Sequence, residues 1–291
     1  MWAVGIHGGA GPLQGQNAHA QRRVLETTLA WAQRVLADGG TALDTVEGAV
    51  RRLEDSGVFV AGKGSRPNKS GGYELDASIC DGPTRRAGAV AALAGVYPPV
   101  SIARAVMEKT EHVLLVGEGA RQFALAQGFA AIADPKRFFA PPSAGEPAPG
   151  HGTVGAVALD QTGAIAAATS TGGTLGKMPG RVGDSPIVGA GSWADDRVGV
   201  SCTGKGEFFI RVAAAHAVAM RGCDGGTALG DALERTLADI AALGGEGGIL
   251  AVDAAGAVRY AFNAETMRVA LASSAGLREV SVAVGSGLPK Q

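Results

Sequence analysis

The residues best equipped for chemistry gather in the second half of the sequence. Thr153 follows Gly152 and heads a short apolar run, Val154-Gly-Ala-Val-Ala-Leu159. Downstream come Thr171 in Thr169-Ser-Thr-Gly-Gly173, Arg181 and Asp184 in Gly180-Arg-Val-Gly-Asp-Ser-Pro186, and the pair Thr203-Gly204. Taken singly these are ordinary. A threonine suits the start of a strand, and Arg181 with Asp184 makes a surface ion pair by default. Together they suggest a machine. If the chain is cut before Thr153, the new α-amino group has a reference pKa near ~8. It can deprotonate the hydroxyl of its own residue, giving an N-terminal threonine nucleophile that needs no histidine. Amides of Thr203 and Gly204, expected at a helix start, would hold a developing oxyanion. Arg181 would grip a carboxylate through two parallel hydrogen bonds, and Asp184 would accept from an ammonium. The pocket so described takes an α-amino acid head group and turns its acyl function toward the threonine.

Several elements must position these groups. Residues 2–7 read as a buried strand ending in a glycine-rich turn, His7-Gly-Gly-Ala-Gly-Pro12. Apolar residues at helical spacing predict a helix over 19–37, and Thr41 with Asp44 caps a second one running to about Leu53. Strands follow at 73–80 and 86–94, helices at 101–110 and 117–127. A stretch rich in proline and glycine, about 139–152, reads as a flexible linker. Beyond it, 154–159 is apolar enough to be buried on both faces, and Asp160-Gln-Thr-Gly163 turns it into a hairpin with 164–168. That return brings the Thr171 hydroxyl toward Thr153. Helices are expected at 207–221 and 227–243, and strands at 248–253, 257–262, 267–272 and 279–284. Strands and helices arrive in blocks, which favours an α+β layered fold.

Composition limits the remaining readings. The chain has 291 residues, of which 46 are glycine, and a formal net charge of −1. Neither half is basic, so nucleic acid is not expected as a partner. No apolar run reaches the ~18 residues of a membrane span. Three cysteines and no secretory leader suggest a cytoplasmic protein without a disulfide framework. The segments 199–206 and 57–64 miss a phosphate-binding loop at its final hydroxyl position. No G-x-S-x-G elbow accompanies His7-Gly8-Gly9, and the five histidines offer no zinc-ligand spacing.

The whole pattern resembles the plant-type L-asparaginase / isoaspartyl aminopeptidase family of N-terminal nucleophile hydrolases. The resemblance rests on His7-Gly-Gly-Ala-Gly11, Glu47-Gly-Ala-Val50 with Leu53-Glu54, Gly62-Lys-Gly-Ser65 and Glu74-Leu-Asp-Ala-Ser-Ile79. It continues through Gly152-Thr153 to Asp160, Thr169 to Gly173, Gly180 to Pro186, Gly189-Ala-Gly191 and Cys202-Thr-Gly204. It implies a four-layer αββα sandwich and a single domain spanning 1–291. Self-cleavage at Gly152–Thr153 would give an α subunit (1–152) and a β subunit (153–291), pairing as a dimer of heterodimers. By the same likeness Thr153 is the nucleophile, supported by Thr171. Arg181 binds the substrate carboxylate and Asp184 its ammonium. Thr203 and Gly204 serve the oxyanion, Gly206 lines the pocket and Gly11 lies near it. Leu53, Glu54, Ser56, Phe59, Ala61 and Lys63 resemble a loop holding a structural sodium ion through main-chain carbonyls. No cofactor is implied for catalysis.

The implied reaction is hydrolysis of β-aspartyl dipeptides and of L-asparagine. The shared aspartyl head group leaves the preferred leaving group open. A glycosylated asparagine fits less well with a cytoplasmic chain. One departure stands out. Phe59-Val60-Ala61-Gly62 carries valine where the family commonly has asparagine, so a poorly processed, non-catalytic relative that binds aspartyl compounds is the alternative. The neighbouring Arg66-Pro67-Asn68-Lys69 reads as a solvated basic loop.

Overall fold

The computed structural model describes residues 1–12, 18–139, 152–223 and 227–284. The first part of the chain forms β1 (Ala3–Gly11), α1 (Ala18–Ala37), α2 (Ala42–Ser56), β2 (Leu75–Asp81), β3 (Arg86–Leu93) and β4 (Val96–Tyr97). It continues with α3 (Pro99–Lys109), β5 (Leu114–Val116), α4 (Gly117–Ala126), β6 (Ala130–Ala131) and α5 (Pro135–Phe138). After Thr153 come β7 (Val154–Leu159), β8 (Ile165–Thr171), β9 (Ser192–Ala194), β10 (Val198–Gly204), α6 (Gly206–Val212) and α7 (Ala214–Cys223). The last elements are α8 (Leu229–Ala242), β11 (Gly247–Asp253), β12 (Val258–Phe262), β13 (Thr266–Ser273) and β14 (Arg278–Val284). The expected linker lies outside the described residues apart from its ends, Phe139 and Gly152.

The fold is mixed α/β with several sheets. One sheet has eight strands in the order β14-β13-β1-β7-β8-β2-β3-β5, and a second has four in the order β12-β11-β10-β9. In the large sheet only β3 and β5 run parallel. Apolar side chains of α1, α2, α3 and α4 pack with Ile6, Ile79, Val90 and Val154 from that sheet. A second core joins the sheets, setting Val157, Ile165 and Val269 against Leu250, Val252 and Val258. A third packs Val200, Cys202 and Ile249 against α6, α7 and α8 through Phe209, Val218 and Leu233. All six residues of β7 are buried, as its uniform apolarity predicts. No helix among the described residues is long and apolar enough to cross a membrane.

Two local features fix the start of α2, and the second ties the halves together. The Thr41 hydroxyl accepts the Asp44 amide (3.0 Å) at the start of α2, as the capping pattern anticipates. At the β7–β8 turn, Asp160 Oδ1 accepts the amides of Thr162 and Ala164, while Oδ2 accepts the Ala42 amide at 2.9 Å. One carboxylate thereby closes the hairpin and anchors the helix.

The structure corrects three expectations. The glycines after His7 do not form a turn. They extend β1 to Gly11 with an irregularity in register between His7 and Ala10, where glycine tolerates a bulge. The helix expected over 207–221 breaks at Ala213, a left-handed residue (φ 50°). The break lets the amides of Ala215 and His216 bond the carbonyls of Ala190 and Gly189. Thr203 and Gly204 do not start a helix. They end β10, a fully buried strand paired with β11, and the helix begins at Gly206.

Candidate active site at the Gly152–Thr153 junction

The β7–β8 hairpin sets the first distance. Val154 pairs with Ser170, so the preceding step brings Thr153 level with Thr171 at the end of the ladder. Both side chains are nearly buried and line one cleft with Gly152, Gly173, Arg181, Gly183, Asp184 and Gly204. Thr171 Oγ1 accepts the Gly173 amide at 3.0 Å, which fixes its rotamer and leaves its own proton to donate. Gly173 has φ 74°, a conformation glycine adopts freely.

Arg181 and Asp184 do not pair with each other as a surface ion pair. Arg181 instead sets Nε and Nη2 on Glu207 Oε1, at 2.9 and 2.8 Å. Glu207 is largely exposed, so this contact orients the guanidinium more than it stabilises the fold. Nη1 faces the Cα of Gly183, where a Cβ would stand 2.9 Å away. Asp184 is buried, and Oδ2 has no hydrogen-bond partner. Burial pushes its carboxyl up to about 7, against the lowering pull of Arg181. A buried acceptor left without a donor is costly, and an incoming ammonium would satisfy it.

Further charges stand behind this wall. The Lys177 side chain is fully buried and donates to the Glu74 carbonyl at 2.9 Å. Glu74 Oε1 accepts the Gly180 amide at 2.8 Å, tethering the loop that carries Arg181. Asp76 accepts the Ala92 amide at 2.7 Å, and burial raises its carboxyl to about 6. Sequence reasoning overlooked Lys177 and Glu207. Lys177 sits between two glycine turns without periodicity, and Glu207 reads as an ordinary residue of a helical first turn.

His7 takes a structural position. Burial depresses it to about 3, so it is neutral. The Gly9 amide lies 3.4 Å from Nδ1 and Ser201 Oγ lies 2.9 Å from Nε2, while a hydrogen bond to the Thr153 backbone opposes the depression. Ser201 passes the chain on to Thr169 Oγ1 (2.7 Å), and Thr169 donates to the Gly191 carbonyl (3.1 Å). The relay crosses the gap between the two sheets. It runs past Gly155, where a Cβ would stand 2.0 Å from Ser201 Oγ.

The remaining expected residues are dispersed. Gly204 (φ 156°) reaches the cleft, whereas Thr203 Oγ1 accepts the Ala10 amide at 3.3 Å and is not among the cleft-lining residues. Gly206 lies under Asp184: a Cβ there would be 2.7 Å from Oδ1. Gly11 is not a lining residue either, and its carbonyl accepts from Thr266 Oγ1 at 2.7 Å. Arg66 and Asn68 are each only 8% exposed, which overturns the reading of a wholly solvated loop. Asn68 is an internal brace, accepting the Ser70 and Gly72 amides and donating to Glu74.

The segment resembling a sodium loop begins in the last turn of α2. Leu53, Glu54 and Ser56 end that helix, where carbonyls lack helical partners and the dipole favours a cation. Beyond it the backbone folds back so tightly that a Cβ on Gly64 would stand 1.9 Å from the Phe59 carbonyl oxygen. One on Gly62 would stand 2.6 Å from that of Glu54. Two carbonyls of this segment already accept hydrogen bonds, Leu53 from Ser56 Oγ at 2.6 Å and Ala61 from the Gly64 amide at 3.1 Å. The Lys63 side chain turns out to Asp55 at 3.1 Å.

The Gly152–Thr153 junction itself is tightly held. A Cβ on Gly152 would lie 2.5 Å from Val60 Cγ2 and 2.6 Å from Val60 Cβ. A Cβ on Gly9 would lie 3.2 Å from the Gly152 Cα. The cleft beside them encloses about 10 Å³, room for one water molecule.

Comparison with known proteins gives the family. A family model described as asparaginase matches residues 1–146 and 134–282. The chain belongs to the asparaginase family. It is 47% identical over 290 residues to an isoaspartyl peptidase of Salmonella typhimurium, covering 91% of this chain and 93% of the relative. An isoaspartyl peptidase of Escherichia coli is 42% identical, covering 91% and 90%. A plant-type L-asparaginase of Pyrococcus horikoshii is 40% identical, covering 93% and 96%.

Proposed function

We propose that this chain is a self-processing threonine hydrolase that removes β-aspartyl residues from dipeptides and converts L-asparagine to aspartate and ammonia. The observation that carries the reading is one cleft in which Thr153, Thr171, Arg181 and Asp184 meet at the Gly152–Thr153 bond. The names of the relatives, isoaspartyl peptidase and L-asparaginase, support the same activity. They do not favour the non-catalytic alternative.

Processing begins when the Thr153 hydroxyl attacks the Gly152 carbonyl. The C–N bond breaks as the ester forms, which frees the Thr153 amino group, and water then hydrolyses the ester to release the Gly152 carboxylate and restore the Thr153 hydroxyl. In the mature protein that amine takes the Thr153 hydroxyl proton as the oxygen attacks the aspartyl side-chain carbonyl. Thr171 donates to the Thr153 oxygen, and the Gly204 amide serves the oxyanion. Arg181, held on Glu207, turns Nη1 to the substrate carboxylate while Asp184 Oδ2 accepts the ammonium. The proton passes to the departing amine, and water then releases aspartate from the ester. Arg181 thus reads the carboxylate and Asp184 the ammonium, whether the leaving group is ammonia or an amino acid.

The same reading places the two fragments in one domain with a four-layer αββα arrangement. It pairs them into a dimer of heterodimers, locates the protein in the cytoplasm, and sets a structural sodium ion on the carbonyls that follow α2. The test is intact-mass measurement of fresh protein followed by assay on L-asparagine and β-aspartyl dipeptides. Two masses dividing at Gly152–Thr153, with release of aspartate, are expected. A single persistent mass overturns the self-processing scheme.

A further inference from the structure

Val60 presses on the residue whose carbonyl is cut. Its Cγ2 and Cβ occupy the space a side chain at 152 would need, at 2.5 and 2.6 Å. It is not free to withdraw, because its carbonyl accepts the Gly172 amide at 2.9 Å, next to Thr171. Gly9 lies close to the same residue: a Cβ on it, where φ is 96°, would stand 3.2 Å from the Gly152 Cα. Alanine at 152 is therefore barred by Val60.

The two bonds Thr153 is to cut have the same local chemistry. In the chain the sequence is CH2–C(=O)–N, with the Gly152 Cα as methylene. In a β-aspartyl amide it is again CH2–C(=O)–N, with the aspartyl Cβ as methylene. After processing, the nitrogen side of the old bond is held by the Thr153 amine, which stays. The space vacated is that of the Gly152 carbonyl and its methylene. We propose that Val60 and Gly9 form a slot that admits only an unsubstituted methylene beside the scissile carbonyl, in self-cleavage and in substrate hydrolysis alike. This inference rests on Thr153 being the nucleophile. It supplies a steric reason for β-linkage selectivity. In an α-linked aspartyl peptide the carbon beside the scissile carbonyl bears both a nitrogen and a side chain, and that carbon does not fit.

The test pairs variants. Wild-type protein and Val60→Gly should both yield two masses, while Gly152→Ala should stay whole. Gly152→Ala combined with Val60→Gly should regain cleavage at 152–153, because only the Val60 amide nitrogen, 3.3 Å away, remains among the nearest atoms. A double variant that stays whole while Val60→Gly matures overturns the slot, as does a Gly152→Ala chain that cuts at the wild-type rate. Failure of the wild type to cut overturns the nucleophile instead. The second measurement compares kcat/KM for L-asparagine and 3-methyl-L-asparagine. Val60→Gly should narrow the wild-type preference for asparagine by at least about tenfold, the scale of one methyl group in a closed pocket. An unchanged ratio overturns the slot, and so, where Val60→Gly does not fold, does a wild type that turns over both compounds equally well.

Discussion

Gly206 and Asp184 are in contact at the floor of the cleft, with room for a hydrogen on the Gly206 Cα and for nothing larger. A Cβ would come within 2.7 Å of the carboxylate and 2.8 Å of the Asp184 amide nitrogen. The backbone atom cannot step aside, so Gly206→Ala must displace Asp184. Its kcat/KM for L-asparagine should fall by about 10²-fold, the scale of an ångström's misplacement of a binding group. Steady-state kinetics on the processed variant measures this, and wild-type values would mean that Asp184 does not hold the substrate.

Thr153→Ala removes the attacking hydroxyl while leaving β7 and its pairing untouched. One intact mass is expected after prolonged incubation. Thr153→Ser keeps the hydroxyl and should still divide. Efficient division of the alanine variant at the same bond would show that another group does the cutting.

Asp184 gives the site a pH signature. Burial keeps its carboxyl protonated up to about 7, and only the ionised form accepts from an ammonium. Affinity for L-aspartate, measured by calorimetry on the processed protein, should weaken as pH falls through 7, by about tenfold per unit below it. Stability moves the other way. The folded state holds this proton more tightly than the unfolded state, so the contribution is full below the unfolded pKa near ~3.9 and is lost as pH rises through about 7. Asp184→Asn should therefore raise the denaturation midpoint over wild type at pH 8 and have little effect at pH 4.

Ser201→Ala interrupts the relay from His7 to Gly191. It leaves His7 Nε2 buried without its hydroxyl partner, a loss of about 1–3 kcal/mol. The denaturant midpoint should drop accordingly, with the division at Gly152–Thr153 still occurring. An unchanged midpoint would show that water takes the place of the hydroxyl.

Much of this was legible from the residues. Thr41 and Asp44 announced the start of α2, the uniform run 154–159 announced a buried strand, and Thr171 was foreseen as a neighbour of Thr153 from the hairpin alone. What escaped notice depends on contacts distant in sequence. β10 looked like a spoiled phosphate loop, because its glycines and lysine mimic one and its partner strand begins at Gly247. Arg181 and Asp184 were read as the head-group pair, but nothing local announced that Glu207 holds the arginine or that the fold buries the aspartate. Val60 looked like a defect. Its contact with Gly152 spans 92 residues, and no local pattern records it.

The order of strands in the large sheet has a final consequence. Its sequence β14-β13-β1-β7-β8-β2-β3-β5 shuffles the two sides of the Gly152–Thr153 bond. β1 lies between β13 and β7, and β8 bonds β2. Cutting the bond therefore alters the covalent map and not the shape. Neither fragment keeps a complete hydrogen-bonded edge once parted from the other, and each would expose raw strands to aggregation. The proposed break would then be a one-way door: two bands are expected under denaturing conditions, one inseparable body under native ones, and poor prospects for either fragment made alone.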